Sequence, residues 1–238
     1  MIGVYDSGVG GMAIMREALK LEPDLGYIYF LDKDFLPLGD KTLIEIKNRM
    51  IIICEYLFNR GCDLVILACN TASVNSIRYI QQEYLPKFYP DKKVLGVTKP
   101  LIEYMEEEFG YLQNKKGLFL ATKATCESGF YQKEFKLKGF NYIEEIPMIG
   151  LAESIEHKDI IQIKNILHKK SLQYQNYDYA ILACTHYTYV KSEIKTEFGL
   201  QHVIDPTEYT ANKLIQYLYK HYEKEKFLTK NRKLLNKI

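Results

Sequence analysis

Two segments of this chain are nearly the same: residues 63–71 read DLVILACNT and residues 178–186 read DYAILACTH. Each is an apolar run that stops at a cysteine followed by small polar residues. A short run of this kind, rich in Val, Ile and Leu, is the pattern of a strand buried on both faces, as in a parallel sheet covered by helices. The polar residues after it then lie at the strand's carboxyl end, the edge where open α/β sheets bind ligands. If the two strands belong to similar halves that face each other, Cys69 and Cys184 approach one substrate from opposite sides. That arrangement suits a reaction that inverts a carbon.

The rest of the chain repeats the alternation of short apolar strands and longer helical patterns that marks an α/β protein. Strands are expected over 2–5, 27–31, 64–68, 93–97, 117–121, 142–146 and 180–183, with a short one over 202–204. Helices are expected over 12–21, 42–59, 72–83, 101–109, 129–137, 158–168, 187–197 and 207–222. The segment 86–92 (PKFYPDK) carries two prolines and reads as a hinge. The prediction is two similar α/β domains, each a parallel sheet flanked by helices, with the active site in the cleft between them. Residues 1–92 plus 205–238 form the first domain and 93–204 the second, because the last helix has no strands of its own and must return to the first half.

At 238 residues and 47% hydrophobic, the chain can bury its core without disulfides. Its five cysteines are odd in number and contain no CxxC pair, which argues for a reducing, cytoplasmic setting and against a structural zinc site. A net charge of +2 offers no field for nucleic acid, and the basic end over 223–238, with Lys224, Lys226, Lys230, Arg232, Lys233 and Lys237, reads as a solvated terminus. The apolar start runs straight into Asp6 and Gly8, and no stretch approaches the roughly 18 uncharged apolar residues of a membrane span. Neither a signal peptide nor a transmembrane segment is expected.

After the first strand comes Asp6-Ser7-Gly8-Val9-Gly10-Gly11, whose glycines permit a tight turn and close approach to an anionic ligand at a helix N-terminus. It satisfies a relaxed dinucleotide fingerprint, with Asp32 placed as a ribose ligand. Against that reading, an ionised Asp6 would sit beside the pyrophosphate, and the twin cysteines would go unexplained. A buried free cysteine is ordinarily a small hydrophobe, and Cys54 and Cys62 are read that way, with Cys126 unassigned. Cys69 and Cys184 differ because each ends a strand where a helix N-terminus can favour the thiolate. His186 is close enough in sequence to tune Cys184, and Asp6 ends an equivalent strand from which it can reach Cys69.

These elements together are similar to the glutamate racemase family: DSGVGG, CNTAS over 69–73, a Thr-x-x-Thr-x-x-Ser-x-x-Tyr pattern over 122–131, Glu153 after Pro147, and CTHY over 184–187. The resemblance implies two α/β domains, conversion of L-glutamate to D-glutamate for peptidoglycan, an amino acid and a second copy as partners, and neither pyridoxal phosphate nor metal as cofactor. It implies Cys69 and Cys184 as the acid/base pair, supported by Asp6, Glu153 and His186. Ser7, Leu38, Gly39, Asn70, Thr71, Thr122 and Thr185 become the substrate-facing positions. The chain departs from the family at Leu38, where a tyrosine is usual, at Thr188, where proline is, and at Lys99, where an acidic residue is common. A racemase for another amino acid such as aspartate, a nucleotide-binding regulatory protein, and a one-cysteine decarboxylase on the same fold are the alternatives.

Overall fold

A computed structural model describes residues 1–223 and Phe227. The first half runs β1 (Ile2–Asp6), α1 (Met12–Leu21), β2 (Tyr27–Leu31), two short 3-10 turns at Lys33–Phe35 and Leu38–Asp40, α2 (Leu43–Asn59), β3 (Leu64–Leu67), α3 (Asn70–Tyr79), a π-helical turn, α4 (Leu85–Phe88) and β4 (Lys93–Gly96). The second runs α5 (Thr98–Phe109), β5 (Gly117–Ala121), α6 (Lys123–Glu127), α7 (Phe130–Leu137), β6 (Ile143–Pro147), α8 (Leu151–Glu156), α9 (Ile160–Gln173), β7 (Tyr179–Leu182), a 3-10 turn at Thr185–Val190, α10 (Lys191–Glu197) and β8 (His202–Ile204), before α11 (Thr207–His221). All eight expected strands form within a residue or two of their expected ends.

They build two four-stranded parallel sheets, ordered β2-β1-β3-β4 and β6-β5-β7-β8. The orders are the same when the second half is renumbered, so β5 is the counterpart of β1 and β7 of β3. In each sheet the chain reverses its winding between these two central strands, which leaves a crevice at their carboxyl ends. Asp6 and Cys69 end or follow β1 and β3; Thr122 and Cys184 follow β5 and β7. The likeness of the two ILAC runs is therefore a likeness of position. Both runs are buried throughout, as strands covered by helices on both faces must be.

Helix faces follow the same logic. On α1, Ile14, Met15 and Ala18 form a buried stripe at helical spacing against Ile2, Val4 and Ile66 of the first sheet. Thr42 starts α2 with a capping box: Glu45 N–H donates to Thr42 Oγ1 at 3.3 Å and Thr42 N–H to the Glu45 carboxylate at 2.8 Å. From α11, Ala211, Leu214, Ile215 and Leu218 join the first-half core, as a helix without its own sheet has to.

The expected hinge over 86–92 is corrected. Pro86 lies in α4, which continues the π-helical turn without a break, and α4 leads into β4, which pairs with β3 in the first sheet through Val65 and Val94. Lys92 ties this corner down, donating to Asp63 at 2.8 Å and to the Cys62 carbonyl at 3.0 Å. The second unit thus begins near Val97, with α5 placing Leu101, Ile102 and Met105 against Phe119 and Ile181 of the second sheet. The basic stretch from Lys224 onward lies outside the described residues. Three short helices, α4, α6 and α8, were not expected: with four, five and six residues they are too short to show a period.

Candidate active site

Each cysteine is placed by a strand that stops. Ser73 N–H donates to the Cys69 carbonyl at 2.9 Å, so α3 begins directly after Cys69, two residues earlier than its apolar pattern suggests. Its first N–H groups have no carbonyl a turn behind them, and Asn70 and Thr71 line the cleft. Cys184 likewise leads into the Thr185–Val190 turn. The two halves close on each other so that Cys69 and Cys184, 7% and 8% exposed, line one cleft of about 360 Å³.

Links across the cleft hold the halves in this closed form. Tyr131 donates to Asn70 Oδ1 at 2.6 Å, Thr71 and Thr122 share a hydroxyl hydrogen bond of 2.8 Å, and Thr185 donates to Asp6 at 3.0 Å. Thr125 completes a hydroxyl triangle with Thr71 and Thr122, at 3.2 and 3.0 Å. These contacts account for the Thr-x-x-Thr-x-x-Ser-x-x-Tyr spacing: Thr122, Thr125 and Tyr131 all turn toward the first half, and Ser128 bonds the Thr125 carbonyl at 2.6 Å.

Two of the three glycines in the Asp6–Gly11 segment, Gly8 and Gly10, serve the same closure. A Cβ on Gly8 would lie 2.4 Å from His186 Nε2 and 2.6 Å from Glu156 Oε2; one on Gly10 would lie 2.3 Å from Thr185 Oγ1 and 2.7 Å from the His186 backbone nitrogen. The loop is filled by the opposite half, which leaves no room for a pyrophosphate. Asp32, the would-be ribose ligand, is buried and engaged by Arg49 at 2.6 and 2.9 Å. Since backbone cannot rotate away, Gly10→Ala should force the halves apart and lower kcat/KM roughly 10²-fold, as a misplacement near 1 Å does. A correctly folded Gly10→Ala protein with wild-type kcat/KM would show that this close approach is dispensable.

Of the residues expected from sequence, Cys69, Cys184, His186, Glu153, Ser7, Leu38, Gly39, Asn70, Thr71, Thr122 and Thr185 all line the cleft. Asp6 does not. It is fully buried behind the cleft, accepting from Thr185 and, at 2.8 Å, from Gly8 N–H, and the hydrogen-bond partner of Cys69 is Ser7 at 3.7 Å. Asp6 therefore orients the second half's Thr185 against the first. Beside the expected Glu153 stands a second carboxylate, Glu156. Glu153 sits exposed at the rim, while Glu156, one turn further along α8, accepts from His186 Nε2 at 2.9 Å and from Val9 N–H at 2.9 Å. Helical positions three apart share a side, so both carboxylates border the cleft. The approach of Val9 and His186 singles out Glu156.

His186 completes a chain from Glu156 through its ring to Cys184, with Nδ1 3.8 Å from Sγ. Burial opposes charge on this ring, but the hydrogen bonds to Cys184 and Glu156 outweigh it and raise His186 to about 10. Glu156 is correspondingly held below the usual carboxylate range, mainly by its bond to His186. The same bonds favour the imidazolium over the neutral ring. Cys69 has the opposite setting: burial, and then the charge of Asp6, push it up to about 12, so it is a thiol. Burial also raises Asp6, against the pull of His186.

Paired α/β halves that bring one cysteine each to a shared, closed cleft define a two-cysteine racemase. No family model matches the chain. A glutamate racemase of Ruegeria pomeroyi is 33% identical over 235 residues, covering 92% of this chain and 86% of that protein. The structure of Escherichia coli glutamate racemase, in complex with L-glutamate and an activator, superposes with a TM-score of 0.74 at 27% identity, covering 97% of this chain and 85% of that one. That of the Francisella tularensis enzyme with D-glutamate superposes with a TM-score of 0.80 at 24% identity, covering 98% and 84%. The chain belongs to the glutamate racemase family.

Proposed function

We propose that this chain interconverts L-glutamate and D-glutamate by proton transfer between Cys184 and Cys69, with no pyridoxal phosphate or metal. The observation that supports this most is the unequal setting of two thiols in one cleft. Racemisation needs one group to take the α-proton and another, on the opposite face, to supply one. Cys184, with its Sγ 3.8 Å from His186 Nδ1, takes the role of base in one direction, and Cys69, held as a thiol by burial, that of acid.

The thiolate removes the α-proton, the C–H electron pair stays on Cα and spreads into the α-carboxylate, and the opposite thiol protonates the carbon. Cys184 ends as thiol and Cys69 as thiolate, ready for the reverse direction. The demanding step places charge beside a carboxylate. N–H groups at the start of α3, with the Asn70, Thr71 and Thr185 side chains, are positioned to hold that carboxylate as its charge grows. The closed halves keep out water that would compete for the proton.

The product supplies D-glutamate for peptidoglycan. Five free cysteines fit a reducing cytoplasm, and among the described residues no helix is long and apolar enough to cross a membrane. We place the chain there as a homodimer, consistent with the exposed Leu43, Ile44 and Ile52 on α2. Sedimentation of the purified protein checks the dimer. The activity test is circular dichroism of purified protein with a panel of L- and D-amino acids in metal-free buffer. Both enantiomers of glutamate should lose optical activity. Aspartate turning over about tenfold faster in kcat/KM would replace glutamate as the substrate and leave the two-thiol chemistry standing.

A further inference from the structure

The turn after Cys184 sorts its side chains by threes, because positions i and i+3 of a 3-10 turn eclipse one another. Tyr187 and Val190 make one such pair, and both are buried in the core of the second half. His186 and Tyr189 make another, and both turn to the Gly8–Val9 backbone of the first half. His186 lies so close to Gly8 that a Cβ there would meet its ring, and the Tyr189 hydroxyl donates to the Val9 carbonyl at 3.1 Å.

Val9 is thereby gripped at both of its backbone groups by the opposite half. Its N–H donates to Glu156 Oε2 at 2.9 Å, the same oxygen that His186 Nε2 engages at 2.9 Å, and its carbonyl accepts from Tyr189. That carbonyl also accepts from Met12 N–H at 3.1 Å, and the Gly8 carbonyl accepts from Tyr29 at 2.9 Å. Met12 and Tyr29 hold the loop to its own half; Tyr189 ties it to the turn that carries His186. Neither Val9 nor Tyr189 lines the cleft.

We propose that Tyr189 is a positioning residue for the Glu156–His186 pair, holding Val9 so that its N–H stays on the carboxylate oxygen that His186 engages. The role rests on the racemase reading, in which His186 serves Cys184. A carboxylate oxygen shared by two donors cannot turn away from one without leaving the other unpaired, so fixing Val9 fixes the direction from which Glu156 meets the ring. Three ionisable groups act on His186, namely Cys184, Glu156 and Asp6, and Tyr189 bears on Glu156 through Val9.

The Tyr189 ring is 43% exposed, so Tyr189→Phe removes the hydroxyl without opening the core. This variant should lower kcat about three- to tenfold for both enantiomers, the range of one net hydrogen bond, with KM within about twofold of wild type. The His186 ring, followed by NMR and assigned through His186→Asn, should titrate about half a pH unit or more lower in Tyr189→Phe, because a loosened Glu156 holds its proton less well. In a Glu156→Ala background, where Val9 and His186 have lost their shared acceptor, adding Tyr189→Phe should change kcat less than about twofold. An unchanged kcat, an unmoved His186 titration, or the same fold-loss with and without Glu156 would overturn the assignment and leave Tyr189 as a link that only closes the halves. A wild-type protein that does not racemise glutamate would remove the functional reading itself, and the His186 titration would still decide whether Tyr189 sets the pair.

Discussion

Replacing either Cys69 or Cys184 by alanine should abolish racemisation in both directions, because a full turnover uses a group on each face of Cα. The loss should reach the assay's detection limit for both variants, beyond the roughly 10²- to 10⁴-fold usually lost with one general acid or base. Neither substitution threatens the fold: both side chains are small, and they line a cleft as well as touching the core. The variants should differ in what they retain. A single thiolate can still remove the proton on its own side, so each should catalyse elimination from an analogue carrying a leaving group at Cβ, with opposite enantiomer preference. The family resemblance assigns Cys69 to the D-isomer and Cys184 to the L-isomer. The asymmetry of the site adds an expectation for the thiols. At neutral pH a thiol reagent small enough to enter the cleft should react faster with the Cys69→Ala protein, which keeps Cys184 beside the imidazolium, than with Cys184→Ala, which keeps the Cys69 thiol. The two-base scheme would be wrong if both variants processed the same enantiomer, or if either racemised glutamate at the wild-type rate.

The second large effect belongs to the Glu156–His186 pair. His186→Asn and Glu156→Gln should each lower kcat roughly 10²-fold while the protein stays folded, and Glu153→Gln should change it little. Asp6→Asn should lose activity on a similar scale through the misplacement of Thr185. The pair also links stability to pH, and the sign comes from the direction of each shift. His186 is raised from 6.5 to about 10 in the folded protein, so its contribution is fully present below 6.5 and declines as pH rises to about 10. Glu156 is lowered from 4.5, so its contribution is present above 4.5 and is lost as pH falls through its lowered folded value. The stability difference between wild type and His186→Asn should therefore shrink steadily from about pH 7 to about pH 10, measured as thermal midpoints of the two proteins at each pH. A difference that stays constant over this range would mean that His186 is not held protonated. Full activity in Glu156→Gln together with its loss in Glu153→Gln would return the supporting role to the carboxylate at the rim.

Much of this molecule was legible as sequence because its signals are local. A strand buried on both faces announces itself as an apolar run, and eight such runs mark the eight strands of the two sheets. The paired ILAC-Cys endings likewise specify two thiols at equivalent strand ends, since the residues after a buried strand of an open α/β sheet lie at its carboxyl edge. Other features depend on partners far away in the chain. Whether β4 joins the first or the second sheet is decided by its pairing with β3, and prolines nearby carry no information about that pairing. Glu153 and Glu156 are interchangeable in the sequence; the approach of Val9 and His186 to Glu156 separates them. Asp6 reads as a partner of Cys69 because both end central strands; its charge does raise Cys69, and closure of the halves adds a hydrogen bond from Thr185 that the sequence does not show. The charge states are the least local property of all. They depend on desolvation and on charges brought within a few ångströms by the fold, so the chain alone determined that there are two thiols, and only the tertiary structure decided that burial keeps the proton on Cys69.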